Sequence, residues 1–213
     1  MTGATLRRRD DGALELRVNG LFVMDDVETA SERALAQQVV DAGAREILVG
    51  GLGLGYTARE LLAHDDVQRV VVAELHGEIV EWMREGEIPG RDLIDDPRLE
   101  IVVGDVQDVV RAQLPHSLDA IVLDVDNGPD FLVHDENAAV YRDDFVRECA
   151  DRLRPDGCLS IWSMADSAPL RAVLLNRFTA VTAEHVDVRL QSRDERYWIL
   201  CGSRPHGSDI VRA

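Results

Sequence analysis

The sequence predicts an open α/β fold: a seven-stranded, mostly parallel sheet with an antiparallel last strand, preceded by a short N-terminal β-hairpin. Three observations carry this expectation. Strand-like and helix-like stretches alternate along most of the 213 residues. The strand-like runs are almost continuously apolar and β-branched, as in strands covered by helices on both faces. The last two runs are joined by the short polar segment Leu190–Glu195, which leaves no room for a crossover helix and implies antiparallel pairing.

The elements follow in order. Ala13–Val18 and Leu21–Met24 flank Asn19-Gly20, a pair that tolerates the positive φ of a tight hairpin turn. A helix should begin after Thr29 or Ser31 as cap, with Ala30, Leu35, Val39 and Val40 on its apolar side. Strands are then expected at Glu46–Gly50, Gln68–Glu74, Leu99–Gly104, Leu118–Asp124, Gly157–Ser163, Phe178–Val188 and Arg196–Gly202. Helices are expected between the first six, at Thr57–His64, Gly77–Glu87, Val106–Gln113, Ala138–Leu153 and Asp166–Arg177. The chain divides into a hairpin (1–26), one α/β domain (27–203) and a tail (204–213) that lacks periodicity and should fray.

Composition narrows the functions. Forty acids, 25 Asp and 15 Glu, oppose 23 bases, all of them Arg, for a formal charge of −17. So acidic a surface repels phosphate backbones, and no nucleic-acid partner is expected. The same charge suits a cationic small molecule or simply a well-solvated surface. The longest uncharged stretch, Ile47–Ala58, has 12 residues and is too short to cross a bilayer. No apolar segment follows the first arginines, so no membrane partner and a cytoplasmic location are expected. Cys149, Cys158 and Cys201 form no CxxC pair and sit in apolar patterns, which makes them small buried hydrophobes, and no metal site is expected.

Three segments could carry chemistry. After the first parallel strand comes Gly51-Leu52-Gly53-Leu54-Gly55, where glycines permit a sharp turn and close approach of a ligand. The next strand ends in Glu74, an acid placed to accept both hydroxyls of a ribose. No Gly-Lys-Ser/Thr follows the loop, so its guest is a nucleoside without phosphate, such as an adenosyl sulfonium compound. Gly104-Asp105-Val106 after the third strand offers a carboxylate for an adenine amine and an apolar contact for its ring, while Asp105 can equally cap the helix that starts there. The fourth strand ends in Asp124-Val125-Asp126-Asn127-Gly128-Pro129-Asp130. Asp124 and Asp126 stand beside the point where strand order reverses, crowding each other and Asp130 so that one pKa should rise toward use as a base.

Together these features match the Rossmann-like, class I methyltransferase fold, and from about residue 15 to 163 the chain resembles the spermidine synthase (polyamine aminopropyltransferase) family. The resemblance rests on Thr57-Ala58-Arg59-Glu60-Leu61-Leu62, Glu74-Leu75, Asp95-Asp96-Pro97-Arg98-Leu99-Glu100, Gly104-Asp105, Asp124, Tyr141 to Phe145 and Leu153-Arg154-Pro155-Asp156-Gly157. It implies that Glu74 holds ribose, Asp105 adenine, and that Asp124 stands near an attacking amine. It also implies self-association as a homodimer and an amine-type small-molecule acceptor.

The departures are as informative. The family's loop carries an aspartate where this chain has Leu54, and its Asp-Ser-x-Asp-Pro segment reads Asp124-Val125-Asp126-Asn127-Gly128 here. After the fifth strand, Ile161-Trp162-Ser163 stands in place of a polar segment, and the N-terminal region is short. The expected activity is transfer of an aminopropyl or other alkyl group from decarboxylated S-adenosylmethionine or S-adenosylmethionine. The alternatives are a methyltransferase and a non-catalytic nucleoside binder. Without an aspartate at 54, repulsion of a donor carboxylate is lost, so intact S-adenosylmethionine should be admitted and Leu54→Asp should restore discrimination.

Overall fold

The computed structural model describes residues 3–125, 127–129, 132, 135–190 and 193–206. The chain opens with β1 (Ala4–Arg8), β2 (Leu14–Val18) and β3 (Leu21–Asp25), an antiparallel sheet in that order. The β2–β3 turn is the expected one, with positive φ at both Asn19 and Gly20. The expected two-stranded hairpin thus becomes three strands. β1 reads as polar because it lies at an edge, where only alternate positions need be apolar: Ala4 is buried opposite Val18, while the arginines face water.

From here the chain alternates. α1 (Ala30–Asp41) starts after Thr29, whose hydroxyl accepts from Arg33 Nε rather than capping the helix. Then come β4 (Glu46–Gly50), α2 (Tyr56–Leu62), β5 (Arg69–Glu74), α3 (Gly77–Glu85), β6 (Leu99–Val103), α4 (Val106–Ala112) and β7 (Leu118–Leu123). α5 (Asp143–Arg152), β8 (Leu153–Ser163), α6 (Ala168–Arg177), β9 (Phe178–Leu190) and β10 (Arg193–Pro205) complete it.

The second sheet has seven strands in the order β6-β5-β4-β7-β8-β10-β9, parallel except for β10, which runs antiparallel to both its neighbours. β4 shows why its sequence is apolar throughout. Ile47 and Val49 pack into the core on the side of α1 and α2, while Leu48 packs into the core on the side of α4 and α5.

Three expected boundaries move. The helix over 138–153 is a 3-10 turn, Asp135–Tyr141, followed by α5, which restarts after extended Arg142 with Asp143 and Asp144 favourably placed in its first turn. β8 begins at Leu153, which pairs with Leu118 ahead of Pro155-Asp156-Gly157, and the register slips before Ala120 meets Cys158. β10 runs through Arg204 and Pro205 into the segment expected to fray, because Pro205 lies opposite Phe178. Residues 207–213 lie outside the described residues. All three cysteines are free and buried.

Candidate active site

The chain order of the sheet reverses between β4 and β7, and the carboxyl ends of the strands around that point form the floor of a cavity of about 630 Å³. The glycine loop after β4 is drawn tightly against the end of β7. At Gly51, with φ of +93°, a Cβ would lie 2.1 Å from the carbonyl oxygen of Asp124, so no side chain fits. The Asp124 N–H donates to the carbonyl of Gly50 at 2.8 Å, closing the seam from the other side.

Glu74, at the end of β5, is buried and fixed by two backbone donors. The N–H of Leu52 reaches its Oε2 at 2.8 Å and the N–H of His76 its Oε1 at 2.7 Å. Burial raises its pKa, and these two N–H groups oppose the rise. One carboxylate therefore braces the loop and also faces the cavity. Asp105 caps α4, as one of its expected readings had it, by accepting the N–H of Gln107 at 2.8 Å, and it also lines the cavity beside Val106.

Gly51, Gly53, Glu74, Leu75, Asp105 and Val106 all line the cavity. In sheet order Asp105 follows β6, Glu74 ends β5, the loop follows β4 and Asp124 follows β7, so the three acids are spread along one crevice. Asp124 is half-buried and accepts from the hydroxyl of Thr57 at 3.2 Å. Burial, with the charge of Glu32 adding to it, pushes its pKa up to about 7. Asp126, the second expected catalytic carboxylate, lies outside the described residues, as does Asp130.

Leu54 and Gly55 are not among the cavity-lining residues. Gly55 takes φ of +86° to start α2, and the Leu54 side chain turns fully into the core, at 0% exposure. Its N–H points the other way, to the sulfur of Met24 at 3.2 Å. The side chain at position 54 is therefore turned away from the cavity, contrary to expectation. Within a run of alternating glycines no periodicity tells which side chain faces inward. Leu54→Asp would bury an unpaired carboxylate among apolar groups at a cost of about 3 kcal/mol or more. It should lower Tm by about 6–12 °C in differential scanning fluorimetry. An unchanged Tm would show that the side chain reaches water.

Three further residues of the cavity wall were not expected there from the sequence. Met24 on β3 covers the loop: a Cβ on Gly53 would come within 2.7 Å of its sulfur. Trp162, at the end of β8, lines the cavity at 8% exposure. Glu32, in the first turn of α1, is also 8% exposed and lines the cavity, with its pKa raised by burial and opposed by the hydroxyl of Ser31, at 2.8 Å, and by its own backbone N–H. An acid in a helix's first turn looks like ordinary dipole complementarity, and nothing local marks this one as buried.

Comparison with known proteins agrees with this architecture. The spermine/spermidine synthase domain matches residues 32–178, more than half of the chain. Polyamine aminopropyltransferase 2 of Pseudomonas aeruginosa is 33% identical over 138 residues, covering 61% of this chain and 37% of that protein. The polyamine aminopropyltransferase of Nitrosomonas europaea is 31% identical over 169 residues, covering 75% of this chain and 49% of that protein. The chain thus spans between about a third and a half of the length of these relatives. Among solved structures, a spermidine synthase in complex with the transition-state analogue AdoDATO superposes with a TM-score of 0.80 at 20% identity, over 98% of this chain and 72% of that one. A probable spermidine synthase from Corynebacterium glutamicum gives 0.66 at 22% identity, over 98% and 80%. The fold is shared with both, and the family match falls on the segment that carries the loop, Glu74, Asp105 and Asp124: the chain belongs to the spermine/spermidine synthase family.

Proposed function

We propose that the protein transfers an aminopropyl group from decarboxylated S-adenosylmethionine to an amine acceptor. The observation that carries this reading is the character of the crevice. Its three strand-end carboxylates have separate tasks, and no arginine is found among its described lining residues to receive a phosphate or a carboxylate. Glu74 accepts the two ribose hydroxyls, and Asp105 with Val106 takes the adenine. Those contacts set the sulfonium and its transferable chain toward Asp124.

The reaction is an in-line displacement. The acceptor nitrogen attacks the carbon next to the positive sulfur, the carbon–sulfur bond breaks, and its electron pair leaves on the thioether, methylthioadenosine. The amine attacks only with a free lone pair, so its proton must leave. A carboxylate with a pKa near 7 is better matched to that transfer than one at the ordinary value of 3.8. Holding donor and acceptor together in a crevice walled by Leu16, Val18 and Met24 supplies the alignment and excludes water.

The methyltransferase alternative drew on Leu54 facing the donor, and that side chain is buried in the core. Titration calorimetry with methylthioadenosine, followed by assay of its release from decarboxylated S-adenosylmethionine in the presence of a panel of mono- and diamines, tests the proposal. Binding together with amine-dependent release is expected. Binding without release for any amine would leave a nucleoside binder, and no binding would overturn the assignment of the crevice.

A further inference from the structure

Thr57 stands in the first turn of α2 and is 4% exposed, on the face that also buries Ala58, Leu61 and Leu62. Valine has nearly the same shape and no polar atom, so a hydroxyl kept in such a place needs a partner. A threonine in a helix can turn its hydroxyl back to a carbonyl three or four residues earlier. Thr57 instead reaches 67 residues along the chain, where its Oγ1 donates to Oδ2 of Asp124 at 3.2 Å. Among the described residues no other group donates to that carboxylate. The contact is longer than a relaxed O–H···O bond, as catalytic contacts often are before substrate arrives.

It is the third tie between the glycine-loop segment and the end of β7. Asp124 donates its N–H to the Gly50 carbonyl at 2.8 Å, and its own carbonyl oxygen stands where a Cβ on Gly51 would be. Those two ties hold the backbone of Asp124, and the Thr57 hydroxyl holds its side chain. With Oδ2 engaged, Oδ1 is the oxygen left for a ligand's proton. The charges around the carboxylate are few among the described residues. α1 brings Glu32, whose charge favours the protonated form, and Glu74, His76 and Asp105 line the same cavity around the ends of β5 and β6. β4 offers the Gly50 carbonyl and β8 the Trp162 ring. The Thr57 hydrogen bond favours the ionised form, against burial and Glu32.

We propose that Thr57 is a positioning residue for the transfer: its hydroxyl holds Oδ2 of Asp124 and so presents Oδ1 to the attacking amine. The proton passes from the acceptor nitrogen to Oδ1 while the nitrogen–carbon bond forms and the carbon–sulfur bond breaks. The inference rests on Asp124 as the base and adds the group that aims it.

The test measures methylthioadenosine release from decarboxylated S-adenosylmethionine against pH, with 1,4-diaminobutane or, if that is inert, the fastest amine of the panel above. Thr57→Val should bind methylthioadenosine within about threefold of wild type. Its plateau kcat should fall about 10-fold, and the rising limb of kcat/KM should move up by about one pH unit. Thr57→Ser, which keeps the hydroxyl, should return the limb to its wild-type position. In an Asp124→Asn background, Thr57→Val should lower kcat no further, whereas a merely structural residue would cost the same in both backgrounds. An equal loss in both backgrounds, or an unmoved limb with unchanged kcat, would overturn the proposal and leave Asp124 as the base. Thr57→Ala should repeat the shift if the valine variant does not fold, and loss of methylthioadenosine binding by both would also overturn the proposal. Asp124→Asn without effect, or wild type inert with every amine, would remove the underlying reading and the inference with it.

Discussion

Asp124→Asn is expected to lower turnover by about 10²–10⁴-fold, the range for removing a positioned general base. Asparagine keeps the shape and can still meet the Thr57 hydroxyl, so the loss should fall on kcat with methylthioadenosine affinity nearly unchanged. The wild-type kcat/KM should rise with pH and level off above about 7, where Asp124 becomes ionised, and that limb should vanish in the variant. A cationic ligand bound beside the carboxylate favours its charged form, so the same limb in kcat should lie at lower pH.

The shift has a consequence for stability whose sign is fixed. Asp124 has a folded pKa of about 7 against an ordinary 3.8. Its stabilising contribution is complete below about pH 4 and is lost as pH rises through 7, because the folded chain holds a proton that the unfolded chain has released. Asp124→Asn, which cannot ionise, should therefore gain in Tm relative to wild type on going from pH 5 to pH 8, by roughly 2–4 °C per kcal/mol. A Tm difference that stays constant between those pH values would contradict a raised pKa. An unchanged kcat would remove Asp124 from the chemistry.

Glu74→Ala should abolish nucleoside binding for two reasons. It removes the acceptor of two charge-assisted ribose hydrogen bonds, worth about 1.5–3 kcal/mol each. It also strands the N–H groups of Leu52 and His76, which hold the loop in its ligand-ready shape. Methylthioadenosine affinity should fall by at least about 100-fold in calorimetry. Glu74→Gln, which keeps one acceptor oxygen, should fall less, and it separates the ribose contact from the loop brace. An affinity for Glu74→Ala within threefold of wild type would place the nucleoside elsewhere.

Where hydrophobic pattern determines placement, the sequence was a good guide. β4 matches its expected span residue for residue, and the antiparallel position of β10 follows from a connection too short for a helix. β1 escaped notice because its two arginines mask an alternation that only an edge strand tolerates. Within the site, Glu74 and Asp105 could be read because each ends a recognisable strand. Glu32 could not, because its importance comes from tertiary burial 92 residues away from Asp124 in sequence. Leu54 misled because a glycine-rich loop encodes where the backbone turns and leaves the direction of its side chains to packing. Trp162 stood out as a departure from the family's polar segment, but only the fold brings it to the same cavity wall as Glu32.

The first antiparallel sheet gives the molecule a modular division of labour. Leu16, Val18 and Met24 help wall the cavity, yet they precede residue 32, where the family match begins. The groups proposed to grip ribose and adenine all lie within that match. Mutational drift in the first 25 residues can therefore reshape the roof over the reacting end while the nucleoside grip stays under separate selection. A lineage could in this way exchange one amine for another by altering a sheet that contains none of the catalytic groups.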